Sequence, residues 1–461
     1  MRRSAHLFFA AILLCGFPFP TFSKSLSEFS KPDLLSLWDL AQRHDASLEA
    51  ARRERDAGQE ALPQGRAGLL PTVNLTAERA RERRWSDEPS LEGGVSRERQ
   101  DLDQTRVSAE LTQPLLRFEN WYAFRESALR ADLSEIEFLQ VSQSFRLRLV
   151  RVYLDSLKAQ LQMDTLRSQL TAVEAQKRQA ESRLSAGLVD RLDLLQATAE
   201  YRRVQAERVS LRSELEAHFR ELETLTGAEF SQLAPLQDSF EPRTQVLAPM
   251  EHYVQRGLQG NPGIRAERLR KQIARQGAHR ARSAYLPTLD LNFRASHDVS
   301  ETHSGASSGF AEFPERETDS VRVSLQLNVP LFSGGRTTSA HREATSRAAQ
   351  VEEELKASVE ETRLSIEVSY RSLRHLRDSL TASEAALEAQ EAALEATERS
   401  YEAGLEDMVQ VVQAQRAWFA ATHEHDQVRL DYLAELARLQ AAIGELDRDF
   451  LATLNGWLEA A

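Results

Sequence analysis

The chain of 461 residues holds a single cysteine, Cys15. It sits in an apolar stretch over 7–19, behind the basic head Met1-Arg2-Arg3 and ahead of Thr21-Phe22-Ser23, which offers small residues at signal-peptidase spacing. That layout predicts a secretory signal peptide over residues 1–23, too short and wrongly flanked for a membrane-spanning helix. A lipoprotein signal needs a small residue before its cysteine, and Leu14 is not small, so no lipid anchor is expected. Cleavage after Ser23 leaves a mature chain with no cysteine, which excludes disulfides and thiol chemistry.

Past Ser23 the sequence also lacks any run of 18 or more apolar residues, so a transmembrane helix is excluded. The formal charge of −12 becomes −12 − 2 = −14 once Arg2 and Arg3 are removed. So acidic a chain gains nothing from counterion release on a polyanion, and a nucleic-acid partner is not expected. Catalytic signatures are missing too. His423-Glu424-His425-Asp426 does not spell a zinc motif, and its histidines at i and i+2 point to different helix faces. The glycines at 305 and 309 bound a serine-rich loop without a phosphate-binding lysine, and no nucleophilic triad can be assembled. An enzyme is not expected, nor a cofactor or a metal. Aromatics are sparse (7%) and the 14 prolines cluster, whereas alanine, glutamate, leucine, arginine and glutamine abound, a composition that favours long helices.

What is present is written twice. Leu70-Pro71-Thr72-Val73-Asn74-Leu75 returns 216 positions later as Leu286-Pro287-Thr288-Leu289-Asp290-Leu291. At the same offset, Val107-Ser108, Leu111 and Pro114-Leu115 return as Val323-Ser324, Leu327 and Pro330-Leu331. Ala186-Gly187-Leu188 returns as Ala403-Gly404-Leu405, and Gly227 as Gly444, both at 217. The expectation is a tandem duplication: repeats over 24–227 and 250–444, a connector over 228–249 carrying Pro235, Pro242 and Pro249, and a tail over 445–461.

Each repeat reads helix, strand, loop, strand, long helix, tight turn, helix. Val321, Val323, Leu325, Leu327 and Val329 alternate strictly with polar residues, which gives a strand with one apolar and one polar face. Strands are expected over about 71–80, 104–114, 287–297 and 319–330, with polar loops over 81–103 and 298–318 facing the cell exterior. Long helices are expected over about 118–184 and 337–402, followed by shorter ones over 190–226 and 405–443. Val359, Ile366, Leu373, Leu380, Leu387, Leu394 and Tyr401 fall at seven-residue intervals, the seam of a left-handed coiled coil. Some 60–70 helical residues make a rod of roughly 100 Å. Leu147, Val150, Leu154, Leu157 and Leu161 mark one face of its counterpart.

Such stripes alone also suit an ordinary core or a soluble periplasmic coiled-coil scaffold. The strands favour an outer-membrane barrel, by length and pattern. Four strands cannot close a barrel, and an open edge is intolerable in lipid, so several copies must each contribute four. The fold class expected is an α+β membrane protein, four strands per protomer in a β-barrel continued by a helical tube.

At this point the residues resemble the TolC family. Gln113-Pro114-Leu115-Leu116-Arg117-Phe118-Glu119-Asn120-Trp121 is similar to its first-repeat signature, and Pro330-Leu331-Phe332-Ser333-Gly334-Gly335-Arg336 to its second. The wording of Arg117 to Trp121 resembles members serving type I protein secretion. The resemblance implies a homotrimer with a twelve-stranded barrel in outer-membrane lipid. It also implies a passive exit duct docked to a periplasmic adaptor and an inner-membrane transporter. The hairpin tips Gly187, Leu188, Gly404 and Leu405 are then the adaptor contacts, although each glycine is equally explained as a helix cap. The periplasmic gate falls on Asp193, Tyr401, Glu406, Gln410 and Gln413. Family members place carboxylates where Gln410 and Gln413 stand and often an arginine where this chain has Glu406, which puts an acidic ring and a mouth-closing ion pair in doubt. Asp193 and Glu406 also read as plain solvated helix-end charges. Phe118, Trp121, Tyr122, Tyr285 and Phe332 lie at the junction of barrel and tube, as interfacial aromatics or as packing between rods.

Overall fold

The computed structural model describes residues 31–89, 95–187, 189–237, 240, 247–304 and 313–458. The expected signal peptide, Leu188 and the serine-rich segment at 305–309 lie outside these residues.

Each repeat opens with short helices: α1 (Leu34–His44), α2 (Ala46–Gln59) and α3 (Ala61–Ala67) in the first, α6 (Met250–Gly260) and α7 (Pro262–Ser283) in the second. Their starts follow from capping chemistry. The Asp33 carboxylate accepts from the Ser36 N–H at 2.8 Å, Asp45 from Leu48 at 2.9 Å, and Asn261 from Gly263 at 2.8 Å with Pro262 in the first turn. Two antiparallel strands follow in each repeat, β1 (Thr72–Pro89) with β2 (Val95–Leu116), and β3 (Thr288–Ser304) with β4 (Phe313–Asn328). The four join in one sheet of order β1-β2-β3-β4, which leaves β1 and β4 as open edges.

The strands are longer than the alternation suggests. Segments expected as loops over 81–103 and 298–318 are largely paired, from Arg81↔Asp103 out to Pro89↔Val95 and from Asp298↔Thr318 to Thr302↔Phe313. The reason is electrostatic. Apolar alternation stops near Ala77 and Val321, and cross-strand ion pairs take over: Arg81 holds Asp103 in a two-pronged contact of 2.6 and 2.7 Å, Arg83 reaches Asp101 at 3.1 Å, Arg106 pairs with Asp298, and His297 with Asp319 at 2.8 Å. At about 3.3 Å per residue these strands span roughly 50–70 Å, more than twice the ~25 Å apolar band of an outer-membrane barrel. Pro114, which cannot donate to the ladder, sits at the register shift of β2 against β3.

The rods follow: α4 (Phe118–Ser185, 68 residues) returns as α5 (Arg191–Thr226), and α8 (Arg336–Glu402, 67 residues) returns as α9 (Met408–Ile443). On the seven-residue seam, Ile366, Leu373, Leu380 and Tyr401 are buried and Val359, Leu387 and Leu394 half-buried. The largest core does not run along the rods but girdles their middle. Phe145, Leu149, Tyr153 and Leu157 of α4 pack there with Leu34, Leu37 and Trp38 of α1, Leu222 and Leu225 of α5, and Leu430, Leu433 and Leu436 of α9. The connector and the chain's end complete the girdle: Tyr153 donates its hydroxyl to the Ala234 carbonyl at 2.9 Å, and Leu236 forms a bridge with Leu458 beside a further helix, α10 (Arg448–Asn455). The expected tail is therefore structured. Leu451 and Leu454 bury one face of α10, and Leu458 is buried just past its end.

At the sheet's base, Arg117 at the start of α4 clamps Asp290 of β3 through two contacts of 2.7 Å. Phe118, Trp121, Tyr285 and Phe332 are exposed there, while Tyr122 stacks on His279 with 5.5 Å between ring centres. His425 is half-buried against α8, with its ring nitrogen 3.3 Å from the Ser383 hydroxyl.

Candidate functional site

Two regions carry functional geometry: the outer face of the sheet and the tips of the two helical hairpins. On the sheet, Val73 and Leu75 of β1 and Val321, Val323, Leu325 and Leu327 of β4 are 62–76% exposed. In register, Val73, Leu111, Phe293 and Val323 form one row across all four strands on that face. The opposite face carries Asn74, Thr76 and Glu78, Thr112 and Glu110, Asn292 and Arg294, and Gln326, Ser324 and Arg322. A water-soluble sheet does not expose a contiguous stripe of this kind without a partner.

The tips are built by helix termination. At the second tip the Leu405 N–H donates to the Ser400 carbonyl at 2.9 Å and Gly404 to Tyr401 at 3.0 Å, the pairing of a Schellman cap. It requires a left-handed residue, which Gly404 supplies at φ +74°. Gly187 does the same at +72°. Asp407 then opens α9, its carboxylate accepting from Gln410 N–H at 3.1 Å, and Asp190 opens α5. Leu405 is 80% exposed, and on the other hairpin Leu192 and Leu195 are 57% and 55% exposed. The two leucines of α5 escaped the sequence reading; their signal is an apolar pair three apart near the start of a helix.

Of the gate residues expected, the structure brings two together and leaves three apart. Tyr401 is buried with Met408, Val411 and Val412, and the Arg183 guanidinium of the other hairpin lies over its ring at 4.8 Å. Asp193 shares this corner. Partial burial pushes its carboxyl above the ordinary range, the neighbouring Asp407 and Asp190 push it the same way, and Arg183 opposes them. Glu406, Gln410 and Gln413 are exposed instead. Gln410 and Gln413 share one face of α9, opposite the buried Val411 and Val412. Sequence reading missed Arg183 and Asp407, of which Asp407 was findable as an N-cap acid.

An alignment model of the family described as "Outer membrane efflux protein" matches residues 37–228 and 253–445, one stretch in each structural repeat. The chain belongs to the outer membrane efflux protein family. The alkaline protease secretion protein AprF of Pseudomonas aeruginosa is 31% identical over 417 residues, covering 90% of this chain and 85% of that protein. Outer membrane protein TolC of Vibrio cholerae is 25% identical over 429 residues, 93% and 94% of the two chains. In fold, the crystal structure of the Campylobacter jejuni CmeC outer membrane channel is similar with a TM-score of 0.76 at 16% identity, over 93% of this chain and 90% of that one.

In this outer membrane efflux protein a second tie joins the hairpins above the tips. Glu200 of α5, 13 residues past Gly187, is buried between Arg203 and Arg416 of α9, 12 past Gly404. Burial pushes the Glu200 carboxyl up, and the hydrogen bonds from Arg203 and Arg416 more than reverse this, holding it below the usual carboxylate range. It stays ionised and links the hairpins across the repeats.

Proposed function

We propose that the chain is the exit duct of a tripartite export system: three copies close a twelve-stranded barrel in the outer membrane, and their helical hairpins continue it as a tube across the periplasm. The observation that carries this is the sheet, apolar on one face and polar on the other, with both edges unpaired. In lipid an unpaired edge costs several kcal/mol per group, so the edges must meet those of further copies. The polar face then lines the lumen, and the duct works passively.

At the far end, the exposed Leu405, Leu192 and Leu195 beside Gly404 and Gly187 offer an apolar surface for a periplasmic adaptor, which joins the duct to an inner-membrane transporter. The mouth is held by packing: Tyr401 under Arg183 within its hairpin cluster takes the place of an ion pair, and the uncharged Gln410 and Gln413 supply no acidic ring. Phe118, Trp121, Tyr285 and Phe332 mark the periplasmic lipid boundary.

The likeness to the protease secretion protein AprF favours proteins as cargo. Deleting the gene and comparing the culture medium with that of the parent strain tests this. One or more extracellular proteins should disappear and return on complementation. An unchanged medium, together with new sensitivity to small toxic compounds, would move the duct to small-molecule efflux, which the family's description equally covers.

A further inference from the structure

On the polar face of the sheet one row stands apart by its charge. Strand pairing sets Asn74, Glu110, Arg294 and Arg322 side by side, so two arginines face each other across β3 and β4. Both are exposed. Like charges placed directly opposite one another destabilise an antiparallel pair. Other arginines at the sheet hold carboxylates: Arg81 holds Asp103, Arg83 Asp101, Arg106 Asp298, and Arg117 Asp290. Arg294 and Arg322 hold none among the described residues, and Glu110, opposite Arg294 in register, forms no ion pair with it. Resting on the three-copy reading above, we infer that Arg294 and Arg322 form a cationic ring in the barrel lumen that selects for anions.

The surroundings leave this charge standing. On the same face the neighbouring rows are uncharged: Thr72, Thr112, Asn292 and Ser324 on one side, Thr76, Ser108, Ser296 and Ser320 on the other. At about 3.3 Å per residue each row lies roughly 7 Å away, so no carboxylate in it cancels the pair. Further out Arg106 is taken up by Asp298, and at the base Arg117 by Asp290. The depth matters as well. On the outer face the arginine row lies between Val73, Leu111, Phe293 and Val323 and Leu75, Ala109, Ala295 and Val321. The ring is therefore backed by the apolar band. A low-dielectric wall of this kind focuses the field of its charges into the water-filled lumen.

Three-fold symmetry puts the equivalent residues of the copies at one level. Six guanidiniums then meet three Glu110 carboxylates, a net charge of 3 × (2 − 1) = +3. Twelve strands 4.8 Å apart, tilted about 35–45°, enclose a circle of roughly 11–13 Å radius at the backbone. The arginine side chains narrow this further, and the Debye length at physiological salt is about 8 Å, so the field of the ring reaches most of the opening. Rings of arginine or lysine are how pores come to prefer anions. Here the ring runs against the acidic charge of the chain as a whole. The species it favours are small inorganic anions and the acidic stretches of a passing polypeptide; strongly basic stretches are held back.

Two measurements on the purified full-length protein test this. One is the reversal potential in planar bilayers under a dilute potassium chloride gradient, where screening is weak. The other is the binding of fluorescent polyglutamate to the detergent-solubilised protein in the same dilute salt, which does not depend on how open the mouth is. Arg294→Gln with Arg322→Gln should lower both the chloride-to-potassium permeability ratio and the polyglutamate affinity several-fold. Arg294→Lys with Arg322→Lys should keep both. Arg79→Gln removes an exposed arginine from the outer face and should change neither. Because an opposed like pair is relieved, the glutamine variant should assemble and melt no lower than the parent. Should it not assemble, Arg322→Gln alone gives the same shifts at smaller size. A trimer in which neither reading moves, or in which Arg79→Gln moves them as much, overturns the ring. A protein that sizes as a monomer and opens no channel overturns instead the three-copy reading on which the ring rests.

Discussion

At the scale of single residues, the turns separate two kinds of glycine. Gly404 has a positive φ and open space around it, so an added methyl group meets only the backbone cost of the left-handed region, about 1–2 kcal/mol. Gly444, at φ +92°, carries the same cost and a further one, because a Cβ there lies 2.6 Å from the Gly260 carbonyl oxygen, backbone that cannot swing aside. Gly444→Ala should therefore lower the thermal midpoint in detergent clearly more than Gly404→Ala; equal losses would contradict the packing of α6 on α9. Both glycines were legible as repeated landmarks, but only coordinates separate the crowded one from the open one, since the crowding comes from residues far away in the chain.

Asp193 makes a second prediction at this scale. A carboxyl raised in the folded tip favours the protonated form, so its contribution to the closed tip is present below the ordinary carboxylate value and lost as pH rises through the raised one. Once ionised, Asp193 is repelled by Asp407 and Asp190 and loosens the corner it shares with them. Single-channel conductance in planar bilayers should fall as the pH is lowered from neutral toward that window. Asp193→Asn should give the lower conductance already at neutral pH and flatten the profile, with a residue left by Glu398, raised by burial and by Glu402 and Glu395. An unchanged profile would remove Asp193 from the gate.

At the scale of elements, the heptads, the turns and the apolar halves of the strands could be read directly, because each depends on a local period. The outer halves of the strands could not. Their residues, from Arg81 to Arg84 and from Asp101 to Asp103, look like loop until their register is known, since what makes them strand is pairing of opposite charges across chain neighbours. The girdle helix α10 was hidden for a related reason, its apolar face having meaning only against the rods of both repeats. The two faces of β4 give the matching prediction. Leu325→Arg sets a charge against hydrocarbon, at a cost of about 2–4 kcal/mol near the bilayer midplane. Gln326→Arg points into the lumen and should cost little. Comparing the heat resistance of the two variants in detergent checks this: equal losses would mean the sheet lies outside the membrane, and a larger loss from Gln326→Arg would mean the faces are assigned backwards.

At the scale of the whole molecule, the sheet has an apolar face and two free edges, and we propose that other copies of the chain close it. The rods, the girdle and the tips fit a tube built from the same copies, and the duplicated sequence gives each copy two hairpins to contribute. The hairpin tips were the least legible part, because Arg183 and Tyr401 meet across two hairpins that the sequence separates by 218 positions. The most direct measurement is the mass of the detergent-solubilised protein, corrected for bound detergent, by light scattering or native mass spectrometry. Three copies, stable only while detergent covers the apolar stripe, is the predicted result; a monomer that stays soluble without detergent would contradict it.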